Sequence, residues 1–95
     1  MVLEIATIDI MAGQQDAFEA ALGQAQSLLA QSPGYIGHTF HHGIENPHRY
    51  VLLIEWETLE AHTVGFRESE LFTQWRALIG PFFAQAPEVL HYTRV

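Results

Sequence analysis

The spacing of apolar residues divides the chain into six segments that alternate between strand and helix patterns. Strands place apolar side chains at every second residue, whereas helices place them three or four residues apart. In chain order the segments are a strand over Val2–Ile10, a helix over Gln14–Gln31, strands over Tyr35–Gly43 and Arg49–Glu57, a helical region from Leu59 that restarts at Ser69, and a strand over Val89–Val95. The order β-α-β-β-α-β predicts a ferredoxin-like α+β fold, with one antiparallel sheet and helices on one face.

The boundaries of both helices carry recognisable signals. The first helix has one apolar stripe, formed by Phe18, Leu22, Ala25 and Leu29. Pro33-Gly34 ends it, because proline cannot continue a helix and glycine accepts left-handed backbone angles. Ser69 is a favourable N-cap for the second helix, and Gly80-Pro81 closes or kinks it. The predicted buried face of this second helix comprises Leu71, Trp75, Leu78, Ile79 and Phe82.

The third strand is the most hydrophobic and is therefore predicted to be central. Its even positions, Tyr50, Leu52, Ile54 and Trp56, share one face, which we assign to the helices. A large aromatic residue at the end of a central strand, facing helices, lies where small ligands are commonly held. The sequence therefore predicts a pocket beside Trp56.

The apolar content predicts an obligate homodimer. Hydrophobic residues make up 48% of the 95 residues, more than the core of one small domain over residues 1–95 requires. On the first strand, Leu3 and Ile5 occupy one face, while Ala6, Ile8 and their even neighbours occupy the other, so both faces are substantially apolar. Because helices cover only one face, we expect a second subunit to cover the other.

Charge and composition exclude several classes of partner and cofactor. The formal net charge of −7 disfavours nucleic acid and anionic membrane surfaces. The chain has no cysteine for disulfides or thiolate chemistry, and no glycine-rich nucleotide fingerprint. Neither a signal peptide nor an apolar run long enough to span a membrane is apparent, so a cytoplasmic location is expected.

Several short motifs together resemble the antibiotic biosynthesis monooxygenase family, whose members are dimeric α+β barrels. The motifs, in order, are Gly13, Pro33-Gly34-Tyr35, Glu45-Asn46-Pro47, Glu55-Trp56, Ala61-His62, and Ser69 with Phe72. The resemblance extends over nearly the whole chain. It implies a homodimer whose sheets face each other, and a pocket in each subunit between sheet and helices. Members include cofactor-free oxygenases, quinol-oxidising relatives, haem-degrading enzymes and proteins that are not oxygenases.

The resemblance also suggests roles for individual residues. Trp56 matches a pocket-lining tryptophan of the cofactor-free oxygenases, and Arg76 matches a helix arginine. Leu52 replaces a pocket asparagine and His62 replaces a tyrosine. For the haem-degrading branch, Arg76, Ala6 and Phe66 stand where an axial histidine, an asparagine and a second tryptophan are needed, so haem degradation is rejected.

Candidate roles follow from these residues, each with a plainer alternative. His62 is the candidate acid or base, because imidazole titrates near neutral pH, although it could be a surface histidine. Arg76 could stabilise an oxyanion or form an ordinary ion pair. Trp56, Phe66, Leu52 and Phe72 are the candidate pocket wall, with core packing as their alternative.

The remaining histidines do not predict a metal site. His38 and His42 share a strand face but stand about 13 Å apart, at about 3.3 Å per residue. His41 points to the opposite face. No two histidines have the i, i+2 spacing of a strand site, and no pair lies at i, i+4 on a predicted helix. His91 faces either the pocket or the dimer interface.

The resemblance, taken with these candidate residues, implies a cofactor-independent monooxygenase that acts on a small aromatic, quinol or polyketide-like molecule. The expected pocket is dry and apolar, with a proton acceptor and a group that stabilises an oxyanion. A non-catalytic small-molecule-binding homodimer, including one with a collapsed pocket, and an isomerase on the same scaffold are the alternatives.

Overall fold

A computed structural model describes all residues from Met1 to Val95 and contains one four-stranded sheet. The strands are β1 (Val2–Asp9), β2 (Tyr35–His42), β3 (Arg49–Trp56) and β4 (Glu88–Tyr92). The α-helices are α1 (Gln15–Ala30) and α2 (Glu70–Ile79), with a π-helix at Ala61–Phe66 and a 3-10 helix at Gly80–Phe82. The predicted β-α-β-β-α-β order and α+β class are confirmed.

The sheet is antiparallel throughout, in the order β2-β3-β1-β4. Strand β3 lies inside the sheet, as its hydrophobicity predicts. Its even residues are buried on the helix-covered face, as are Ala6 and Ile8 of β1. Helices α1 and α2 pack beside each other, and the apolar stripe of α1 is buried as predicted. The core thus lies in one layer between sheet and helices.

Several boundaries differ from the sequence predictions. Each of four elements ends one residue earlier than predicted: β1 at Asp9, β2 at His42, β3 at Trp56 and α1 at Ala30. Helix α2 ends at Ile79, in agreement with the predicted closure at Gly80-Pro81, but Phe82, which was assigned to its buried face, lies half-buried in the 3-10 turn beyond it. Strand β4 ends at Tyr92, because its last paired residue lies opposite Leu3, close to the beginning of β1. Ser69 occupies the N-cap position of α2, as predicted. Its hydroxyl, however, donates to the Phe66 carbonyl oxygen at 2.6 Å and makes no hydrogen bond with the first turn of α2.

The segment after β3 is wound as a π-helix rather than as the expected α-helix. The Arg67 amide donates to the His62 carbonyl oxygen, five residues earlier, at 3.0 Å. This winding turns His62 and Phe66 toward the sheet, where both are buried. Gly34, with φ of 87°, packs against the first turn, and a Cβ there would lie 2.6 Å from the Ala61 Cβ. Glycine is therefore required where the π-helix meets the entry to β2.

The second face of the sheet has no helix over it. Leu3, Ile5 and Leu53 are only partly buried there, and Leu90 and Tyr92 keep nearly half of their surface exposed. No helix in the structure is both long enough and apolar enough to cross a membrane.

Candidate functional site

A glutamate is buried in the apolar layer between sheet and helices. Glu4 lies on the helix-covered face of β1 and keeps only 5% of its surface exposed. It stands opposite Ile54 on β3 and opposite His91 on β4. Its Oε1 atom accepts a hydrogen bond from the Trp56 indole Nε1–H at 3.0 Å. A carboxyl group in this position requires polar partners, because burial without them is costly.

His62 provides the second partner of this carboxyl group. Its Nε2 atom lies 3.3 Å from Glu4 Oε1, and its Nδ1 atom lies 2.8 Å from Nε2 of His91. The ring stacks on Trp56, with centroids 5.3 Å apart and planes inclined by 20°. Glu4, His62 and His91 therefore form one chain of polar contacts, with a hydrogen bond between the two histidines, which runs from the buried carboxyl to the half-buried edge strand β4. We call it the carboxyl-histidine chain.

The carboxyl-histidine chain allows two arrangements of its protons. When Glu4 is protonated, its O–H lies within reach of His62 Nε2, and His62 Nδ1–H donates to His91. When Glu4 is ionised, it accepts the hydrogen bond from the Trp56 indole and faces the Nε2–H of His62, while His62 Nδ1 accepts from His91. A proton can therefore leave or enter Glu4 while these contacts are kept.

The protein environment moves the two central pKa values in opposite directions. Burial raises the pKa of Glu4 to about 7, against smaller lowering effects of the Trp56 hydrogen bond and the Arg67 charge. Burial, with smaller contributions from the charges of Arg67 and His91, lowers the pKa of His62 to about 4. The pKa of His91 is also lowered, mainly by burial. Near neutral pH the histidines are uncharged and Glu4 is close to half-ionised.

Glu4 and His62 open onto a cavity of about 620 Å³ between the sheet, the π-helix and α2. This volume lies within the usual range for small-molecule sites. Most of the wall is apolar: Ala6, Ile8, Leu52, Ile54, Phe66, Phe72, Trp75, Ile79, Phe83, Ala86 and Val89. The cavity argues against an interior collapsed around its aromatic residues.

Two arginines line the same cavity. Arg67 directly follows the π-helix, and Arg76 lies on α2. No carboxylate oxygen lies within 4.0 Å of either guanidinium group, so the ordinary ion pair considered for Arg76 is not formed. Arg67 lies close enough to the carboxyl-histidine chain to lower the pKa of each of its members. Both arginines are exposed to solvent, and the cavity therefore combines an apolar wall with two arginines that have no carboxylate partner.

Most of the candidate residues reach this cavity, with one exception. His62, Arg76, Leu52, Phe66 and Phe72 all line it. Trp56 does not: its side chain is fully buried behind Glu4 and His62. Its indole N–H meets the Glu4 carboxyl group, where a ligand oxygen was the expected partner.

The sequence did not predict the buried contacts of Glu4, the position of Arg67 at the cavity or the hydrogen bond between His62 and His91. One signal was present, because Glu4 is the only ionisable residue among the even, inward-facing positions of β1. Its partners Trp56 and His62 lie 52 and 58 positions further along the chain, and the alternation of side chains along a strand does not predict contacts over such distances. No neighbouring residue or motif in the sequence indicated that Arg67 would line the cavity.

No group of three histidine, cysteine, aspartate or glutamate side chains converges in a way that could hold a metal ion. The carboxyl-histidine chain runs through both nitrogens of His62, so its donor atoms do not point at one centre. His38 bonds to the Tyr35 hydroxyl at 2.6 Å, and His42 bonds to the Pro47 carbonyl oxygen at 2.7 Å. These two histidines are occupied in separate local contacts.

Comparison with known proteins gives consistent matches over the whole chain. The sequence model of the antibiotic biosynthesis monooxygenase family matches residues 1–78. The Bacillus subtilis (strain 168) protein YczJ, described as uncharacterized, is 42% identical over 95 residues, which cover 100% of both chains.

Solved structures agree with this match. A Bordetella bronchiseptica protein assigned by name to the antibiotic biosynthesis monooxygenases is 41% identical, with a TM-score of 0.96 over 99% of this chain and 96% of its own. The cofactor-independent oxygenase SnoaB of Streptomyces nogalater shares 17% identity, with a TM-score of 0.82 over 98% of this chain and 91% of its own. The second likeness concerns the fold alone. From the family match and the relatives above 40% identity, the chain belongs to the antibiotic biosynthesis monooxygenase family.

Proposed function

We propose that the protein is a cofactor-independent monooxygenase that oxidises a small hydroxylated aromatic, quinol-like or polyketide-like molecule. The observation that carries this proposal is the buried Glu4–His62 pair, which opens onto a cavity of about 620 Å³ with a mostly apolar wall. Family membership supports the class of reaction.

Glu4 is the proposed base, and His62 is the proposed proton carrier. A base works best when its pKa lies near the working pH, and the raised pKa of Glu4, about 7, meets this condition. His62 alone is a weak base, because its pKa is lowered to about 4. Between Glu4 and His91, however, it can accept a proton at one nitrogen and release one at the other. This refines the role that the sequence suggested for His62.

The other residues of the cavity would stabilise the substrate anion and exclude water. Arg67 and Arg76 supply positive charge where the substrate hydroxyl becomes an oxyanion. Leu52, Phe66 and Phe72 keep the surroundings apolar, which strengthens these electrostatic interactions. The deprotonated substrate would then transfer an electron directly to O₂, so that no cofactor of the protein takes part. Trp56 supports this chemistry indirectly, by holding the Glu4 carboxyl group and the His62 ring.

An isomerase is the second candidate, and the carboxyl-histidine chain itself favours it. A carboxylate and an imidazole in contact can remove a proton from one carbon or oxygen and return it elsewhere. Such a reaction would use the same cavity without consuming O₂.

The homodimer is also part of the proposal. The half-exposed Leu90 and Tyr92 and the partly buried Leu3, Ile5 and Leu53 form an apolar sheet face without a helix over it. A second copy packed on this face would remove these side chains from water. Sedimentation at micromolar concentration should detect a dimer and no monomer, whereas a stable monomer would contradict this assembly.

The reaction can be tested with a panel of quinols and hydroxy-aromatic compounds under ¹⁸O₂. A monooxygenase should consume O₂ and place one labelled oxygen atom in the product. The Glu4→Gln variant should lose most of this activity, and His62→Gln should lower it, while His48→Gln, on the exposed turn before β3, should not. A rearranged product without label would favour the isomerase. Unchanged turnover in Glu4→Gln would contradict the proposed base.

A further inference from the structure

The positive charge of this protein is concentrated at the cavity. The chain has no lysine and only four arginines, against eleven acidic residues. Arg49 is held by two hydrogen bonds to Asp9, at 2.9 and 3.0 Å. Arg94 lies on the helix-free side of the sheet, next to Leu53 and Tyr92. The remaining two, Arg67 and Arg76, both line the cavity, and neither is paired with a carboxylate.

The two unpaired guanidinium groups carry more positive charge than one phenolate oxygen neutralises. If a neutral hydroxy-aromatic molecule gives its proton to ionised Glu4, the bound oxyanion carries one negative charge and Glu4 becomes neutral. The two arginines, which are both exposed to solvent, then leave one positive charge without a counter-charge at the cavity. A substrate with one further, permanent negative charge would balance both arginines after the proton transfer.

The chemistry of the cavity wall favours a carboxylate over a phosphate as that second charge. Guanidinium groups bind planar carboxylates with two parallel hydrogen bonds. Phosphate sites typically use glycine-rich loops of backbone N–H groups, but the wall here contains a single glycine, Gly80, at the C-terminal end of α2. A dianionic phosphate would also bring two negative charges into the cavity that contains the ionisable Glu4, whereas a carboxylate would bring one.

We propose that the substrate is an aromatic hydroxy acid, whose carboxylate and ring hydroxyl are both bound at Arg67 and Arg76. This inference rests on the proposed function for the fate of the hydroxyl proton, but the carboxylate site itself does not require turnover. The apolar wall formed by Phe66, Phe72 and Trp75 would enclose the aromatic body.

The test compares 6-hydroxy-2-naphthoate with 6-hydroxy-2-naphthamide, which has nearly the same size and shape without the charge. Binding is measured by titration calorimetry without O₂, in the wild-type protein and in Arg67→Gln, Arg76→Gln and the double variant. Arg94→Gln is the control, because it removes the same charge from a site outside the cavity. Charge-assisted hydrogen bonds predict that the carboxylate binds the wild-type protein about ten-fold to a hundred-fold more tightly than the amide.

The expected result is that each single variant reduces this preference and the double variant abolishes it, while amide binding and the Arg94→Gln control change little. Equal affinity for both compounds in the wild-type protein would overturn the inference. A preference that survives in the double variant would also overturn it. Because binding is measured without O₂, a failed oxygenase assay with intact carboxylate preference would reject only the proposed reaction.

Discussion

Replacing Glu4 by glutamine should stabilise the folded protein at alkaline pH and have little effect at acidic pH. Glutamine keeps an oxygen that can accept the hydrogen bond from Trp56, and it removes the charge that burial penalises. The pKa of Glu4 is raised from 4.5 to about 7, a difference of about 2.5 units, at about 1.4 kcal/mol per unit. The ionised carboxylate therefore destabilises the folded state by about 3 to 4 kcal/mol.

The direction of this pH effect on stability follows from how strongly the folded and unfolded states bind the Glu4 proton. Between the unfolded pKa of 4.5 and the folded pKa of about 7, the folded state holds the Glu4 proton more strongly. The contribution of this group to the free energy of unfolding therefore declines as pH rises through that window. At pH values above about 7, burial of the ionised carboxylate destabilises folded wild type by its full free energy, whereas the Glu4→Gln variant has no such carboxylate. Below pH of about 4.5 both side chains are neutral, and the two proteins should have similar stability.

Urea-induced unfolding, followed by tryptophan fluorescence at about pH 4.5 and about pH 8.5, measures this difference. Both proteins must be compared at one concentration, since dimer formation would make stability depend on it. The variant should gain about 3 to 4 kcal/mol over wild type at the higher pH. Glu57→Gln, which removes a carboxylate from an exposed position, is the control and should show no such gain. If Glu4→Gln changes stability equally at both pH values, burial of an ionisable carboxyl is not the cause.

Two further predictions concern the partners of Glu4. The pKa of His62 is lowered from 6.5 to about 4, so the unfolded state binds its proton more strongly, and this group removes stability as pH falls through that window. His62→Gln should therefore lose less stability than wild type between about pH 6.5 and pH 4, as measured by urea unfolding at several pH values. An identical pH dependence in both proteins would contradict a buried neutral histidine. The Trp56→Phe substitution removes the hydrogen bond that lowers the pKa of Glu4, so the midpoint of the pH–rate profile should move to higher pH. An unmoved midpoint in this variant would show that Glu4 does not control the profile.

The fold could be predicted because alternation and helical spacing report directly on which side chains face the core. The stripe of α1 and the inward face of β3 illustrate this, since every predicted member is buried. The π-helix at Ala61–Phe66 could not be predicted in the same way. It packs against Gly34, which lies 27 positions before Ala61 in the chain, and helical spacing does not report such a contact.

The candidate site was predictable only in part, and for a physical reason. His62 and Arg76 follow the strand that ends at Trp56, and the topology alone carries them over the sheet to one cavity. The position of Trp56 behind that cavity depends on Glu4, which occupies the space next to the indole. The chain from Glu4 to His91 depends on the exact pairing of β1 with β4. Strand patterns show the two faces of a strand but do not determine its register with another strand.

The proposed chemistry depends on the ionisation of Glu4, and carbon NMR can measure this ionisation directly. Glutamate labelled with ¹³C at the side-chain carboxyl reports each of the nine glutamates of the chain, and the Glu4→Gln variant identifies the signal of Glu4. This signal should titrate with a midpoint at about 7 in the folded protein. A midpoint close to the ordinary 4.5 would contradict the proposed role of Glu4, because the carboxyl would then be fully ionised at neutral pH and would not be the proposed base.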